Sequence, residues 1–168
     1  MNAYDIIVSN SKESEKNMKR SKYDIVKIQT KNSALIWKEV RGIVDKKVAD
    51  KMDEAMLNWM VELTNCLSIW IDKGENMSNG ELILARVNMG SLVESWLKFF
   101  YCVFYIDYLK NPKLKKQKIV EPNDMKFIEL QEFSIGKLWN DDKELEYIWV
   151  NKIRDMRNAI HAFNYKDI

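Results

Sequence analysis

The strongest indication of the fold is the segment GELILARVNMGSLVESWLKFFYCVFYIDYLK, residues 80–110. Its apolar and aromatic side chains recur at helical spacing and cover more than one side of the helix, which is typical of a central helix or of one with an additional protein interface. Ser78 or Asn79 offers an N-cap, and Glu81 lies in the first turn. Asn111-Pro112 ends the pattern because proline cannot continue a helix. We therefore predict one long buried helix.

Helical patterns continue on both sides of this stretch. They predict helices over about 34–46 (capped by Asn32 or Ser33), from Met52 to Trp70 (ending at Gly74), over about 124–138 and over about 141–163, with a basic loop at 113–118. Only 5 glycines and 2 prolines occur among 168 residues, and sheets with tight hairpins need more of both. We predict an all-α, up-and-down bundle of about five helices over residues 31–168, preceded by a mobile or partly helical segment, residues 1–30.

Composition excludes several classes of function. No glycine-rich nucleotide-binding motif occurs, and one histidine with two distant cysteines cannot form a Cys/His zinc site. The net charge of +2 does not by itself indicate nucleic acid. The longest uncharged apolar run, Phe99–Ile106, is too short for a membrane span, which needs about 20 residues. We expect a cytoplasmic protein without a membrane partner, in which Cys66 and Cys102 are buried free thiols; a disulfide is the alternative.

The segment that suggests chemistry lies near the end of the chain. On a helical wheel at about 100° per residue with Arg154 at 0°, Arg157 falls at about 300°, Asn158 at about 40° and His161 at about 340°. Five apolar residues fall on the other side, between about 180° and 260°, and we expect them to pack on the bundle: Trp149, Ile153, Met156, Ile160 and Phe163.

These residue types suit cleavage of RNA without a metal ion. A histidine moves protons near neutral pH, and two guanidinium groups can grip a phosphate and stabilise its developing charge. The asparagine can orient the imidazole or bind a sugar hydroxyl. Because the 2′-OH of RNA can attack the adjacent phosphate, no protein nucleophile is required. The alternative is structural, since cations near a helix C-terminus interact favourably with the helix dipole, and Asp155 can pair with Lys152.

Arg154–His161 resembles the R-x4-6-H motif of HEPN domains, small all-α RNases and RNA-binding modules of defence and toxin–antitoxin systems. Six residues, beginning with Asp155, separate Arg154 from His161. Arg157-Asn158 resembles the usual Arg-Asn pair, but only three residues separate Arg157 from His161. Residues 88–98 are similar to the central helix of several bacterial HEPN-like groups, which carries a mid-helix glutamate, here Glu94.

The resemblance implies a bundle that dimerises so that two motifs form one cleft. It implies His161 as general acid or base, Arg154 and Arg157 as phosphate ligands, and Asn158 and Asp155 as substrate-binding residues. The implied substrate is RNA, cut to a 2′,3′-cyclic phosphate without a metal or other cofactor. A cognate antitoxin or a nucleotidyltransferase is the implied partner, and some members bind RNA without cutting it, so a non-catalytic helical interaction or RNA-binding module is the alternative.

Four further features each have two interpretations. Glu94 pairs with Arg154 or Arg157, or it faces solvent or pairs with Lys98. The lysines of residues 110–118 form a solvated loop or follow an RNA backbone. The aromatic residues 99–108 form core or a dimer interface, or they stack bases. Asp141, Asp142 and Glu144 are charges at a helix start or a metal patch.

Overall fold

The computed structural model describes the backbone of residues 3–158 and the side chains of residues 15–158. The helices of this part are α1 (Ala3–Lys38), α2 (Lys46–Glu54), α3 (Leu57–Lys73), α4 (Asn79–Val103), α5 (Tyr105–Tyr108), α6 (Phe127–Phe133) and α7 (Leu145–Asn158). Strands β1 (Leu114–Lys115) and β2 (Lys118–Ile119) form a hairpin between α5 and α6. The predicted all-α class is confirmed, and the arrangement is consistent with a helical bundle.

Helix α4 is the centre of the bundle and packs against α2, α3, α6 and α7. It begins with a capping box, in which the Ser78 hydroxyl accepts the Glu81 N–H and the Glu81 carboxylate accepts the Ser78 N–H. Leu92, Leu97 and Tyr101 are among its buried side chains. The single helix predicted over residues 80–110 is wrong at its end, because α4 stops at Val103 and the short α5 follows.

Helix α1 packs along α3 through a polar contact inside an apolar interface. Thr30 and Thr64 are both buried, and the Thr64 hydroxyl lies 3.4 Å from that of Thr30. Each hydroxyl also donates to a carbonyl one turn earlier in its own helix, so neither is left unsatisfied. The predicted helix over 34–46 is wrong, since α1 runs unbroken through that start and ends at Lys38. The predicted boundary at residue 30 lies within α1.

The chain changes direction between α2 and α3 without a glycine or a proline. Ala55 is extended, with φ −78° and ψ 133°, so the helix predicted from Met52 to Trp70 is divided. Val48, Ala49 and Met52 are buried on α2, whereas Leu57, Met60 and Thr64 are buried on α3. The break lets both sets of side chains reach the core, which one straight helix would not allow. Gly74 ends α3 as predicted.

The segment after α5 is more irregular than the sequence predicts. The expected basic loop is the β1–β2 hairpin, whose turn residues Lys116 and Gln117 have positive φ. The helix predicted over 124–138 is restricted to α6, and Gly136 with φ 73° follows it. Helix α7 begins at Leu145, four residues later than predicted, because Asp141 accepts a backbone N–H in a preceding turn.

The described part of the chain contains free thiols at both cysteines, as predicted. The predicted burial is confirmed for Cys102 and is wrong for Cys66, which is half-buried. None of the helices that the structure describes is long and apolar enough to cross a membrane.

Candidate functional site

Helix α7 carries most of the predicted site and lies against α4 and α6. Val150 and Ile153 are its buried side chains. On the wheel with Arg154 at 0° they fall at about 320° and 260°, so the buried direction lies near the angle of Arg157, about 300°. The buried face of α7 is therefore rotated toward Arg157 from the predicted apolar face at about 180–260°. Trp149 is wrong as a packing residue, since it is 51% exposed, and Ile160 and Phe163 lie outside the described residues.

Arg157 is held between α7 and α4 by an ion pair. Its Nη1 lies 2.5 Å from Oε2 of Glu94, and its guanidinium carbon lies 6.0 Å from the centre of the Phe127 ring. The aliphatic part of the side chain rests on Gly90, where an added Cβ would come within 2.6 Å of the Arg157 Cβ. Gly90 thus permits the close approach of the two helices, and Arg157 retains 31% exposure at its side chain.

Glu94 is shared by two cations. Its second oxygen, Oε1, lies 3.0 Å from the Lys98 ammonium, one turn further along α4. Because the Glu94 side chain is only 14% exposed, the solvent-facing interpretation is wrong. The two pairings that the sequence suggested, with an arginine of α7 and with Lys98, are both present. The two cations offset the cost of placing this carboxylate where little water reaches it.

Arg154 connects α7 to α6. Its Nη1 donates a 2.7 Å hydrogen bond to Oε1 of Gln131, and its Nη2 donates to Oδ1 of Asp155 at 3.0 Å. Gln131 is fully buried and its amide nitrogen points to α7, 3.4 Å from the Asn151 side-chain oxygen. At 15% side-chain exposure, Arg154 is less accessible to a ligand than Arg157.

The structure brings four of the six predicted site residues into two contacts: Arg157 with Glu94, and Arg154 with Asp155. Asn158 is exposed at the end of α7. His161, the proposed proton-transfer group, lies outside the described residues.

Gln131 has a role in this site that the sequence analysis missed. Phe127, Leu130, Gln131 and Ser134 recur at steps of three, one and three, so they share one helix face. All four are buried. That spacing was the available indication that Gln131 points inward and needs a hydrogen-bond partner there.

The aromatic, lysine-rich and acidic segments that the sequence suggested as binding features mainly make contacts within the chain. Tyr101, Tyr105 and Tyr108 are buried, which confirms the core interpretation for these tyrosines, although Phe104 is 48% exposed beside an aromatic cleft of about 250 Å³. Lys110 pairs with Asp107 at 2.6 Å. The Glu144 carboxylate accepts the backbone N–H of Asn140 at 3.0 Å.

Among the residues whose side chains are described, no group of three or more His, Cys, Asp or Glu side chains is placed to hold a metal ion. Comparisons with protein-family models, with curated proteins and with solved structures found no match to this chain.

Proposed function

We propose that this chain is a cytoplasmic, HEPN-like RNA endonuclease in which Arg157 binds the scissile phosphate and His161 transfers the proton. The observation that carries the proposal is the Arg157–Glu94 pair at the end of α7, four residues before His161. A carboxylate that fixes one edge of a guanidinium preorganises the remaining N–H groups, and preorganised donors stabilise charge that develops in a transition state.

The local charge balance supports an anionic ligand. Arg154, Arg157 and Lys98 supply three positive charges against the two carboxylates of Glu94 and Asp155. Of the two arginines, Arg157 has the more exposed side chain, at 31% against 15% for Arg154. We therefore assign phosphate binding to Arg157 and a positioning role to Arg154, which ties α7 to Gln131.

The proposed reaction follows from RNA chemistry. His161 accepts the proton of the 2′-OH, the 2′-oxygen attacks phosphorus, the bond from phosphorus to the 5′-oxygen breaks, and the 5′-oxygen takes a proton from water. The products are a 2′,3′-cyclic phosphate and a free 5′-OH, with neither a metal nor another cofactor in the step. In this proposal Asn158 and Asp155 contact the RNA, and two copies of the chain form one cleft. A role in defence or in a toxin–antitoxin system, with an antitoxin or a nucleotidyltransferase as partner, belongs to the same proposal.

The test is cleavage of diverse RNAs in EDTA. We expect His161→Ala to reduce the rate by about 10²–10⁴-fold, the usual contribution of a general acid or base. Arg157→Lys retains a cation for Glu94 but loses the planar fork, so it should lower the rate while leaving the melting temperature nearly unchanged. Lys152→Ala is the matched control, because Lys152 is exposed on the same helix.

A second candidate function is a non-catalytic helical interaction module. It is favoured by Arg154, whose guanidinium is nearly covered and bonded within the chain. If this function is correct, wild-type protein leaves RNA intact, and Arg154→Ala lowers the melting temperature without any effect on RNA. Cleavage by wild type that His161→Ala abolishes would exclude it.

A further inference from the structure

Helix α1 presents an apolar seam to solvent. The seam, called here the outer seam, recurs at alternating steps of three and four and consists of Met18, Ser21, Ile25, Ile28, Asn32 and Leu35. Its apolar members are between 53% and 59% exposed. Four of its six positions are apolar, and the other two, Ser21 and Asn32, are polar. Positions at this spacing repeat every 3.5 residues, the period of a helix that pairs with another helix through knobs-into-holes packing.

The outer seam lies opposite the face by which α1 joins its own bundle. Tyr23, Thr30 and Trp37 recur every seven residues, and each is buried or half-buried. At 100° per residue this inner face is about 170° from the centre of the outer seam. The centre of the outer seam therefore faces away from α3. Only its last position, Leu35, with the neighbouring Lys31, lines a cleft of about 670 Å³ between α1 and residues of α2 and α3.

We propose that the outer seam binds the outer seam of a second copy of this chain, in an antiparallel pair of α1 helices. An isologous contact requires a self-complementary surface, and one antiparallel register provides it. In that register Ile25 packs on Ile28 of the second copy, Met18 packs on Leu35, and the polar Ser21 meets the polar Asn32. Every apolar position meets an apolar one, and the polar positions meet each other.

The charges beside the seam favour the same direction. Asp24 and Lys31 lie on one flank of the outer seam, one heptad apart, and both are exposed. In the antiparallel pair each Asp24 faces Lys31 of the second copy, which gives two symmetric ion pairs. A parallel pair would instead place Asp24 beside Gln29. Charged positions that flank a seam set partner orientation more than they add stability.

This contact goes beyond the proposed function and does not depend on it. Helix α1 packs on α3, α3 on α4, and α4 on α7, so two bundle layers separate the outer seam from Arg157. Pairing through α1 leaves the α7 surface of each copy accessible. Failure of RNA cleavage would not affect this inference, and loss of the α1 pair would not by itself disprove the nuclease.

The first experiment measures mass in solution by light scattering. The chain has a mass of 20.0 kDa, and we expect wild type to show at least twice that value. Ile25→Lys/Ile28→Lys should halve the observed mass with unchanged helical circular dichroism. Leu84→Lys on α4 is the matched control, because Leu84 at 58% is as exposed as Ile28 at 59%. A monomeric wild type, or equal masses for the seam variant and wild type, would overturn the proposal.

The second experiment tests direction and remains informative if the lysine variant fails to fold. Single-cysteine additions Ile25→Cys and Ile28→Cys are prepared separately, mixed and oxidised. The antiparallel register predicts disulfide-linked dimers in the mixture and little in either variant alone. Efficient linkage of Ile25→Cys to itself would indicate a parallel pair and reject the register, and absence of linkage in every sample would reject the contact.

Discussion

Replacing Gly90 with alanine should weaken the packing of α7 on α4 and lower the free energy of unfolding. The added Cβ would lie 2.6 Å from Cβ and 2.8 Å from Cδ of Arg157. The nearer atom is attached directly to the α7 backbone, so rotation of the side chain cannot move it away. Overpacking of this kind costs about 1–3 kcal/mol. Against this, alanine gains about 1 kcal/mol of helix propensity over glycine, which leaves a net loss of about 1 kcal/mol.

Gly80→Ala is the matched control in the same helix, since an added Cβ there meets nothing within 4 Å. The two variants share the change in residue type, so the difference between their unfolding free energies isolates the overpacking cost. With the middle of the overpacking range, about 2 kcal/mol, and about 2–4 °C per kcal/mol for a chain of this size, the melting temperature of Gly90→Ala should lie about 4–8 °C below that of Gly80→Ala. If Gly90→Ala is as stable as Gly80→Ala, or more stable, in thermal and urea melts, the argument that Gly90 sets the spacing of α4 and α7 is refuted.

Three further predictions concern groups outside the α4–α7 joint. Ser78→Ala removes one half of the capping box and should cost about 1 kcal/mol in urea melts, whereas Ser78→Asp should restore most of it; equal stability of the two would contradict the capping argument. Hydrogen bonds from Lys73 and Ser78 lower the pKa of Glu81 from 4.5 to about 2. The ionised Glu81 therefore stabilises the folded state fully above pH 4.5, and this stabilisation is lost as the pH falls toward 2. The difference in unfolding free energy between wild type and Glu81→Gln should shrink over that range. Burial raises the pKa of Cys102 to about 11, so a thiol reagent at pH 8 should label Cys66 much faster than Cys102 until the protein is unfolded; equal rates would contradict the packing.

The long helical patterns could be predicted because they depend on local spacing. The dense apolar run at residues 80–110 identified the central helix, and Ser78, Glu81 and Gly74 identified helix ends whose hydrogen bonds form within a few residues. The break at Ala55 could not be predicted in this way. No residue there disfavours a helix, and the extended backbone follows from the need of α2 and α3 to bury different faces.

The candidate site was predicted in its members but not in its orientation. The wheel grouped Arg154, Arg157 and Asn158 on one face, and Glu94 was expected to need a cationic partner. The wheel predicted that Trp149 and the apolar residues beside it pack on the bundle and that the arginine face points outward. In the structure the buried side chains of α7 are Val150 and Ile153, and Arg157 lies in the same direction, against α4. Hydrophobic periodicity predicts only which side of a helix is the more apolar. The side that is buried depends also on the neighbouring helices, here on Gly90, which admits Arg157, and on Gln131, which accepts a hydrogen bond from Arg154.

Three properties of this chain follow from its amino-acid sequence: the all-α class, the start of the central helix, and the charged residues that accompany Arg157 near the end of the chain. These properties depend on interactions between residues three or four positions apart. Three others depend on how the helices pack: Glu94 pairs with Arg157, Arg154 donates to Gln131, and α1 buries one face while a second apolar face remains exposed. These contacts are between residues far apart in the chain. Local spacing does not distinguish among the possible partners, and close packing of the interior selects one of them.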